Sequence, residues 1–405
     1  MQHDTMQHDI VIIGGGLVGA GLACALDGSG FDVALVEAVA ADDGAQPRPS
    51  FDERNLVLAD ASLNALTALA VLGHLRQPPA PVQRIHVTRA GDFGAVRLNA
   101  NDYGRAYFGG VVVARDLGQA LESAVNALPG LTRYCPAQVR TLDCGADHWR
   151  VSLHSDGDER TIRARLLVGA DGSQSFVRSA LGIGSETIDY RQTLLVSAVG
   201  SNRAVDGQAF ERFTDSGPLA LLPRPDGLYG SVMGVATDQA DAVAALPDAE
   251  YLALLQQRFG GRAGRFTRVG KRVAYPIRRV LAKQLVAPRA LLIGNAAQTI
   301  HPVGAQGFNL GLRDALCLAE LLADGGDPGE PQRLARYAAL RSEDRERTLA
   351  FSDGLARITA NPGFSMHLLR SLGFLALEHL PGLKAPLVSG AMGYRGWVPA
   401  LARPA

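Results

Sequence analysis

The sequence predicts an α/β protein: a parallel sheet that opens the chain, an antiparallel sheet set into it, and a helical tail. Three observations carry this. A β-branched run at 9–13 leads into Gly14-Gly15-Gly16 and a small-residue helical stretch, and a second apolar strand at 32–36 completes a βαβ unit. Short alternating segments at 149–153, at 160–168 and between 189 and 236 are separated by turn residues, as antiparallel strands are. Beyond about Gly325 helical patterning replaces strand patterning.

A chain of 405 residues suits two intimately packed domains plus a tail. Apolar residues make up 47% and charged residues 20%, a globular balance. Lys+Arg and Asp+Glu stand at 40 each, so no net positive charge exists to displace counterions, and no nucleic-acid partner is expected. Cys24, Cys135, Cys144 and Cys317 are scattered, which suggests neither a metal site nor a disulfide framework and fits the reducing cytoplasm. Met-Gln-His-Asp occurs at 1–4 and again at 6–9, so Met6 is an alternative start, and no basic, cleavable leader is read. No stretch reads as a transmembrane helix, because the apolar run from Ile10 to Leu26 is broken by glycines.

In chain order, the first strand passes through the glycines into a helix that runs to about Asp27, and the second strand ends at Glu37. Leu66, Leu69 and Leu72 punctuate a helix that Asp60 or Ser62 would cap, and another helix starts near Asp116. The turn His154-Ser155-Asp156-Gly157 joins two strands, and Pro225-Asp226-Gly227 joins strands at 219–222 and 229–235. A buried strand returns at 290–293, followed by a long helix at 308–322. The expected division places 8–81, 111–182 and 276–325 in one discontinuous domain, 82–110 and 183–275 in an inserted sheet domain, and 326–405 in a C-terminal helical region.

Gly14-x-Gly16-x-x-Gly19 follows a strand and opens a helix, with Glu37 about 20 residues on, so every part of a Rossmann-like dinucleotide fingerprint is in order. The glycines permit a tight turn and close approach of backbone to a pyrophosphate, whose charge the helix N-terminus favours. Glu37 accepts hydrogen bonds from a ribose diol.

Two later segments narrow this reading. Gly294-Asn295-Ala296-Ala297-Gln298-Thr299-Ile300-His301-Pro302, continued by Gln306-Gly307-Phe308-Asn309-Leu310-Gly311-Leu312-Arg313-Asp314-Ala315, resembles the second FAD-binding motif of the flavin-dependent aromatic hydroxylases, the para-hydroxybenzoate hydroxylase-like family. Val168-Gly169-Ala170-Asp171-Gly172-Ser173, with Ser175 and Arg178, resembles their Asp-Gly motif. The resemblance covers nearly the whole chain and implies a Rossmann-like FAD-binding domain with an inserted antiparallel-sheet substrate domain. It makes Gly14, Gly16, Gly19, Glu37, Arg54, Arg115, Asp171, Asn295, Gly307, Phe308 and Asn309 the expected FAD-binding residues. Asn295 is expected at the ribityl chain, and the helix after 304–307 is expected to aim its positive end at the flavin. The family's glycine before Gln306 is Ala305 here, with Gly304 ahead of it.

The resemblance also implies the chemistry, a ring hydroxylation that consumes O2 and a nicotinamide reductant, NADH or NADPH. The cofactor carries the hard step, and the protein binds the ring, favours the phenolate and excludes water. His301 is the motif-borne titratable group near the expected flavin face, a candidate base that a structural role suits better. Asn295 and Gln298 stand where most of the family has Asp and His, the version that resembles ring hydroxylases of ubiquinone biosynthesis and implies a polyprenylated methoxyphenol substrate. A sister hydroxylase for another ring position, a soluble-phenol hydroxylase and a non-oxygenating flavoprotein or scaffold remain alternatives. Leu368, Leu369, Leu372, Phe374 and Leu375, continued by Leu380, Leu383, Leu387 and Val388, allow two readings: packing against the flavin domain, or a surface for biosynthetic partner proteins or the inner face of the cytoplasmic membrane.

Overall fold

In the computed structural model, which describes residues 6–40, 52–155, 157–301, 306–360 and 364–404, the chain builds three sheets before it ends in helices. The first stretch supplies β1 (Gln7–Ile13), α1 (Leu17–Ala25), β2 (Val33–Val36), β3 (Asn55–Ala59), α2 (Asp60–Ala68), β4 (Ala80–Pro81), β5 (Arg84–Arg89), β6 (Val96–Asn99), β7 (Gly109–Val113) and α3 (Ala114–Asn126). Then come β8 (Leu131–Tyr134), β9 (Gln138–Cys144), β10 (Trp149–Ser155), β11 (Asp158–Gly169), α4 (Phe176–Ala180), β12 (Ser185–Ser201), β13 (Gln208–Thr214), β14 (Gly217–Pro223) and β15 (Tyr229–Ala236). The remainder is α5 (Ala240–Ala244), α6 (Asp248–Phe259), β16 (Phe266–Val269), β17 (Val273–Ala282), β18 (Val286–Ala287), β19 (Ala290–Leu292), β20 (Gln298–Thr299), α7 (Gln306–Leu322), α8 (Pro331–Ala360), α9 (Phe364–His379) and α10 (Pro381–Ala391).

The opening sheet runs β18-β19-β11-β1-β2-β8, and β1 pairs in parallel with both β2 and β11. Because β1 is central and its sheet is covered by helices, Ile10, Val11 and Ile12 have no exposed surface, which is why its sequence is an unbroken apolar run. The register fixes the edge that matters. Ile13 stands opposite both Val36 and Gly169, and Gly169 stands opposite Leu292. These strands therefore end together, and the chain leaves all of them at one edge of the sheet, where ligands of open α/β sheets bind.

The second sheet has the order β20-β17-β12-β15-β14-β13-β5-β6. One of its faces packs Leu195, Leu219, Leu221, Met233 and Val235 against Tyr251, Leu255 and Phe259 of α6. The opposite face carries Val196, Val232 and Ile277, and at its other side Ile85, Ala209 and Leu222 pack with Val57 of β3 and Val111 of β7. A small sheet, β3-β7-β4, thus lies beneath the second face. The expected hairpin is present: Gly227 takes φ +75°, and Arg224 N–H donates to Leu228 O at 2.9 Å.

Two local expectations are corrected. Asp60 is the first residue of α2 instead of its cap, because its carboxylate accepts from Tyr394 Oη at 2.8 Å, and Ser62 is buried within the helix. The long helix begins at Gln306, two positions before the apolar pattern shows it.

The tail is fastened to both sheets. Tyr337 of α8 donates to Leu292 O at 3.0 Å, and Arg370 of α9 donates to Asp92 Oδ2 at 2.8 Å. Val388 and Met392 pack against Ala100 and Phe108. Leu369, Leu372 and Leu380 are each more than half exposed, whereas the side chains of Leu368, Leu383 and Leu387 lie outside the described residues. Among the described residues no helix is long and apolar enough to cross a membrane.

Candidate functional site

The glycine loop is held by contacts that leave no room for side chains. Gly14 takes φ +105°, and a Cβ there would lie 2.6 Å from Ala170 O. A Cβ on Gly19 would lie 1.9 Å from Gly14 O. Gly16 precedes α1 without a side-chain cap, and the first turn carries no acid, so the N–H groups at this helix start face an anion site with no competing carboxylate of their own. The loop is further set by Glu37, whose Oε2 accepts from Gly15 N–H at 2.7 Å and whose Oε1 accepts from Val39 N–H at 2.8 Å. Each oxygen keeps a lone pair for a ribose hydroxyl. The sequence expects Glu37 at a ribose, and the structure shows it bracing the loop, which the sequence does not suggest.

Asp171 follows β11 and lies directly against the loop, with its Cα 2.9 Å from the position of a Gly14 Cβ. Its carboxylate caps α4, accepting from Ser175 Oγ at 2.5 Å and from Val177 N–H at 3.0 Å. Arg178 spans the gap to the next motif by donating to Ala296 O at 2.9 Å.

Asn295 sits exposed in a single helical turn, Gly294–Ala296, at the end of β19. That turn is positioned from below by Asp314 of α7. Asp314 Oδ2 accepts from Gly294 N–H at 2.9 Å and from Gln298 Nε2 at 2.6 Å, and Oδ1 accepts from Arg341 Nε at 2.7 Å. Burial pushes this carboxyl up, and these three donors hold its charged form against that cost. Burial likewise opposes the Arg341 charge, but Asp314 and Asp344 outweigh it and keep the guanidinium protonated. Arg341 was not foreseen, since it lies 27 residues from Asp314 in a helix whose sequence has no motif.

Arg54 and Arg115 are brought together by backbone. Ala114 N–H donates to Arg54 O at 2.8 Å and Arg115 N–H to Asp52 O at 2.9 Å. Each guanidinium has carboxylate company that the sequence did not suggest: Arg54 donates to Asp52 at 2.8 Å, and Arg115 donates to Glu53 and Asp116. Arg54 also lies 5.3 Å from the ring centre of Tyr275, which links this edge to the second sheet.

On α7, a Cβ placed on Gly307 would meet no atom of the described residues within 4 Å. Phe308 packs partly against the main core. Asn309 is committed to structure: Oδ1 accepts from Ala59 N–H at 2.9 Å and Nδ2 donates to Val57 O at 2.8 Å, tying α7 to β3. His301 is buried edge-to-face against Tyr190, with ring centres 4.7 Å apart, a packing role more than a base's exposure. The loop of Gly304 and Ala305 lies outside the described residues.

A glycine cradle that admits only backbone, an uncapped helix start, an acid at the second strand and a polar turn on the same sheet edge fit a dinucleotide such as FAD. Comparison with known proteins agrees. A family model described as "FAD binding domain" matches residues 7–352. The chain is 37% identical over 389 residues to the ubiquinone hydroxylase UbiL of Rhodospirillum rubrum, covering 95% of this chain and 89% of that one. It is 31% identical to the 3-demethoxyubiquinol 3-hydroxylase of Escherichia coli, covering 95% and 98%. Among solved structures, the p-nitrophenol 4-monooxygenase PnpA of Pseudomonas putida superposes with a TM-score of 0.78 at 18% identity, covering 97% of this chain and 100% of that one. With a family model over most of its length and relatives above 30% identity along nearly all of it, the chain belongs to the FAD-dependent aromatic hydroxylase family that includes the ubiquinone-ring hydroxylases.

Proposed function

We propose that this enzyme hydroxylates the aromatic ring of a polyprenylated methoxyphenol in ubiquinone biosynthesis, consuming O2 and NADH or NADPH. The observation that carries the reading is the Asn295 turn held by Gln298 and Asp314, the form of the second motif that resembles the ubiquinone-pathway enzymes. The ubiquinone hydroxylases among its relatives support it. In this reading Gly14, Gly16, Gly19 and Glu37 hold the adenosine and pyrophosphate portion of FAD. Arg54, Arg115 and Asp171 line its middle, while Asn295, Gly307, Phe308 and Asn309 surround the flavin end. Bound FAD supplies the redox chemistry that activates O2 for transfer to the ring. The protein's part is to place the ring, keep water out and stabilise negative charge with the N-terminus of α7.

A prenylated substrate dissolves in lipid, and the exposed Leu369, Leu372 and Leu380 of the tail, with Phe93 beside α9, offer an apolar surface for peripheral membrane contact or for other proteins of the pathway. Truncation after Gly363 that leaves membrane and partner association unchanged would remove this part of the reading.

The test of the reaction is complementation. A bacterial strain lacking the 2-polyprenyl-6-methoxyphenol hydroxylase is expected to regain ubiquinone and lose its accumulated phenol when it expresses this chain. Rescue only of a strain blocked at another ring position moves the assignment to a sister reaction. Rescue of neither by an FAD-loaded protein rejects the pathway assignment.

A further inference from the structure

One register row on the face of the second sheet that looks toward β3 is apolar but for a single carboxyl, while Arg89 and Tyr275 lie on the same face in other rows. Reading across the strands in register, Val96 of β6 stands beside Val87 of β5, then Glu211 of β13, Ala220 of β14, Val232 of β15, Val196 of β12 and Val273 of β17. Residues in register point to the same face, so one carboxyl projects from a row of valines and an alanine. The preceding residue, Phe210, packs on the opposite face with Tyr229 and Phe259, which fixes the direction of Glu211. Glu211 has no hydrogen-bond or ion-pair partner among the described residues.

A carboxyl in such a place is costly unless something meets it. Burial lifts Glu211 to about 8, with no charge among the described residues contributing, yet the residue is only partly buried by accessible surface. The face that carries Glu211 is turned toward the cofactor side. Gly230, on the same face, presses against Asn55 of β3, and Tyr275 of β17 carries the Arg54 guanidinium of the cofactor edge.

We propose that Glu211 is a catalytic residue that binds the phenolic hydroxyl of the substrate and accepts its proton. The proposal rests on the reading of the substrate as a phenol. The phenol O–H bond breaks, a carboxyl O–H bond forms on Glu211, and the electron pair remains on the phenolate oxygen. The ring becomes electron-rich and better able to accept an electrophilic oxygen. The apolar row around Glu211 receives the ring and its methoxy group.

Among the described residues, the other ionisable groups near this face are already engaged. Arg89 of β5, opposite Phe213, is held by Asp215 at 2.5 Å and by Asp92 at 3.6 Å, and Asp92 also holds Arg370 and His367 of α9. Burial raises Tyr275 above the usual phenol range, and Arg54 lies over its ring. On α8, which also packs near β13, Arg341 is committed to Asp314 and Asp344, Arg345 to Ala282 O and Arg347 to Glu343. Below about pH 8 Glu211 already carries a proton and cannot take another, so turnover rises with pH through that region.

The experiment compares wild type, Glu211→Gln and Glu211→Asp as FAD-loaded full-length enzymes, with 2-methoxy-6-prenylphenol as probe, from pH 6 to 9.5. For Glu211→Gln, kcat is expected to fall by about 100-fold or more, the usual scale for losing a general base. Its rising limb near pH 8 is expected to vanish, while FAD Kd stays within about twofold. Glu211→Asp is expected to recover part of the rate and to keep a limb. If wild type turns the phenol over and Glu211→Gln matches it across pH, or if Glu211→Gln loses FAD and rate together while keeping the limb, the role of Glu211 is overturned and the substrate reading stands. If FAD-loaded wild type makes no product from the phenol, the substrate reading fails and the proposal fails with it.

Discussion

Gln298 donates to Asp314 across 2.6 Å of protein interior, and through that bond the turn bearing Asn295 is fixed to α7. Both partners are buried, and the carboxylate is balanced on its other oxygen by Arg341 of α8. The tail is thus part of the cofactor edge's support and not an appendage. Removing Arg341 would leave Asp314 buried without its counter-charge. Arg341→Met is expected to cost about 3–5 kcal/mol of stability, read as a denaturation midpoint shift, and to weaken FAD binding at temperatures where the protein stays folded. Asp314→Asn, which keeps an acceptor for Gly294, is expected to cost less.

The glycine loop gives a sharper steric test. Gly19→Ala places a methyl group 1.9 Å from Gly14 O, so loop or helix must move. The expected result is loss of FAD affinity by roughly 100-fold or more, about 3 kcal/mol, measured by fluorescence titration. Gly73→Ala, where a Cβ meets nothing within 4 Å, is expected to bind FAD as wild type does.

Asn295 is exposed, so substitutions there should spare the fold. Asn295→Asp is expected to retain FAD because an acceptor remains. Asn295→Leu is expected to lose about 1–3 kcal/mol of FAD binding, the cost of an unmet polar partner. Equal affinities would remove Asn295 from the site.

Glu211 also makes a stability prediction that does not involve turnover. The folded protein keeps this proton up to about pH 8, whereas an unfolded chain releases it near the ordinary glutamate value of 4.5. Between those values the native state binds more protons, so stability falls as pH rises through the window. Glu211→Gln lacks this penalty. Its stability is expected to match wild type near pH 4.5 and to exceed it increasingly toward pH 8.5, by a margin bounded at roughly 5 kcal/mol and read as a rise in melting temperature. A constant difference across that range would show that burial does not perturb the carboxyl.

How much of this was legible in the sequence depends on distance along the chain. Gly14, Gly16, Gly19 and Glu37 sit in one βαβ unit, and their spacing alone marks that edge of the sheet as the expected dinucleotide site. Asn295, Gln298 and Asp314 were found together because one motif carries them, although their mutual bonds were not. Asn309 was expected at the flavin, and the structure adds that its amide ties α7 to a strand about 250 residues earlier, a contact that no local pattern encodes. Asp60 looked like a helix cap for the same reason: its partner, Tyr394, comes from the far end of the chain. Glu211 was hidden differently. In Gln208–Thr214 alternation suggests a strand, but a carboxyl between Phe210 and Arg212 reads as a solvent-facing residue until the register places it among valines.

Whether the enzyme is a ring hydroxylase is decided by the source of the oxygen in its product. FAD-loaded enzyme, given NADH or NADPH and 2-methoxy-6-prenylphenol under isotopically labelled O2, is expected to yield a ring-hydroxylated phenol carrying one labelled atom, seen by mass spectrometry. Consumption of the reductant with no labelled phenol, or a hydroxylated product whose oxygen comes from water, would contradict it.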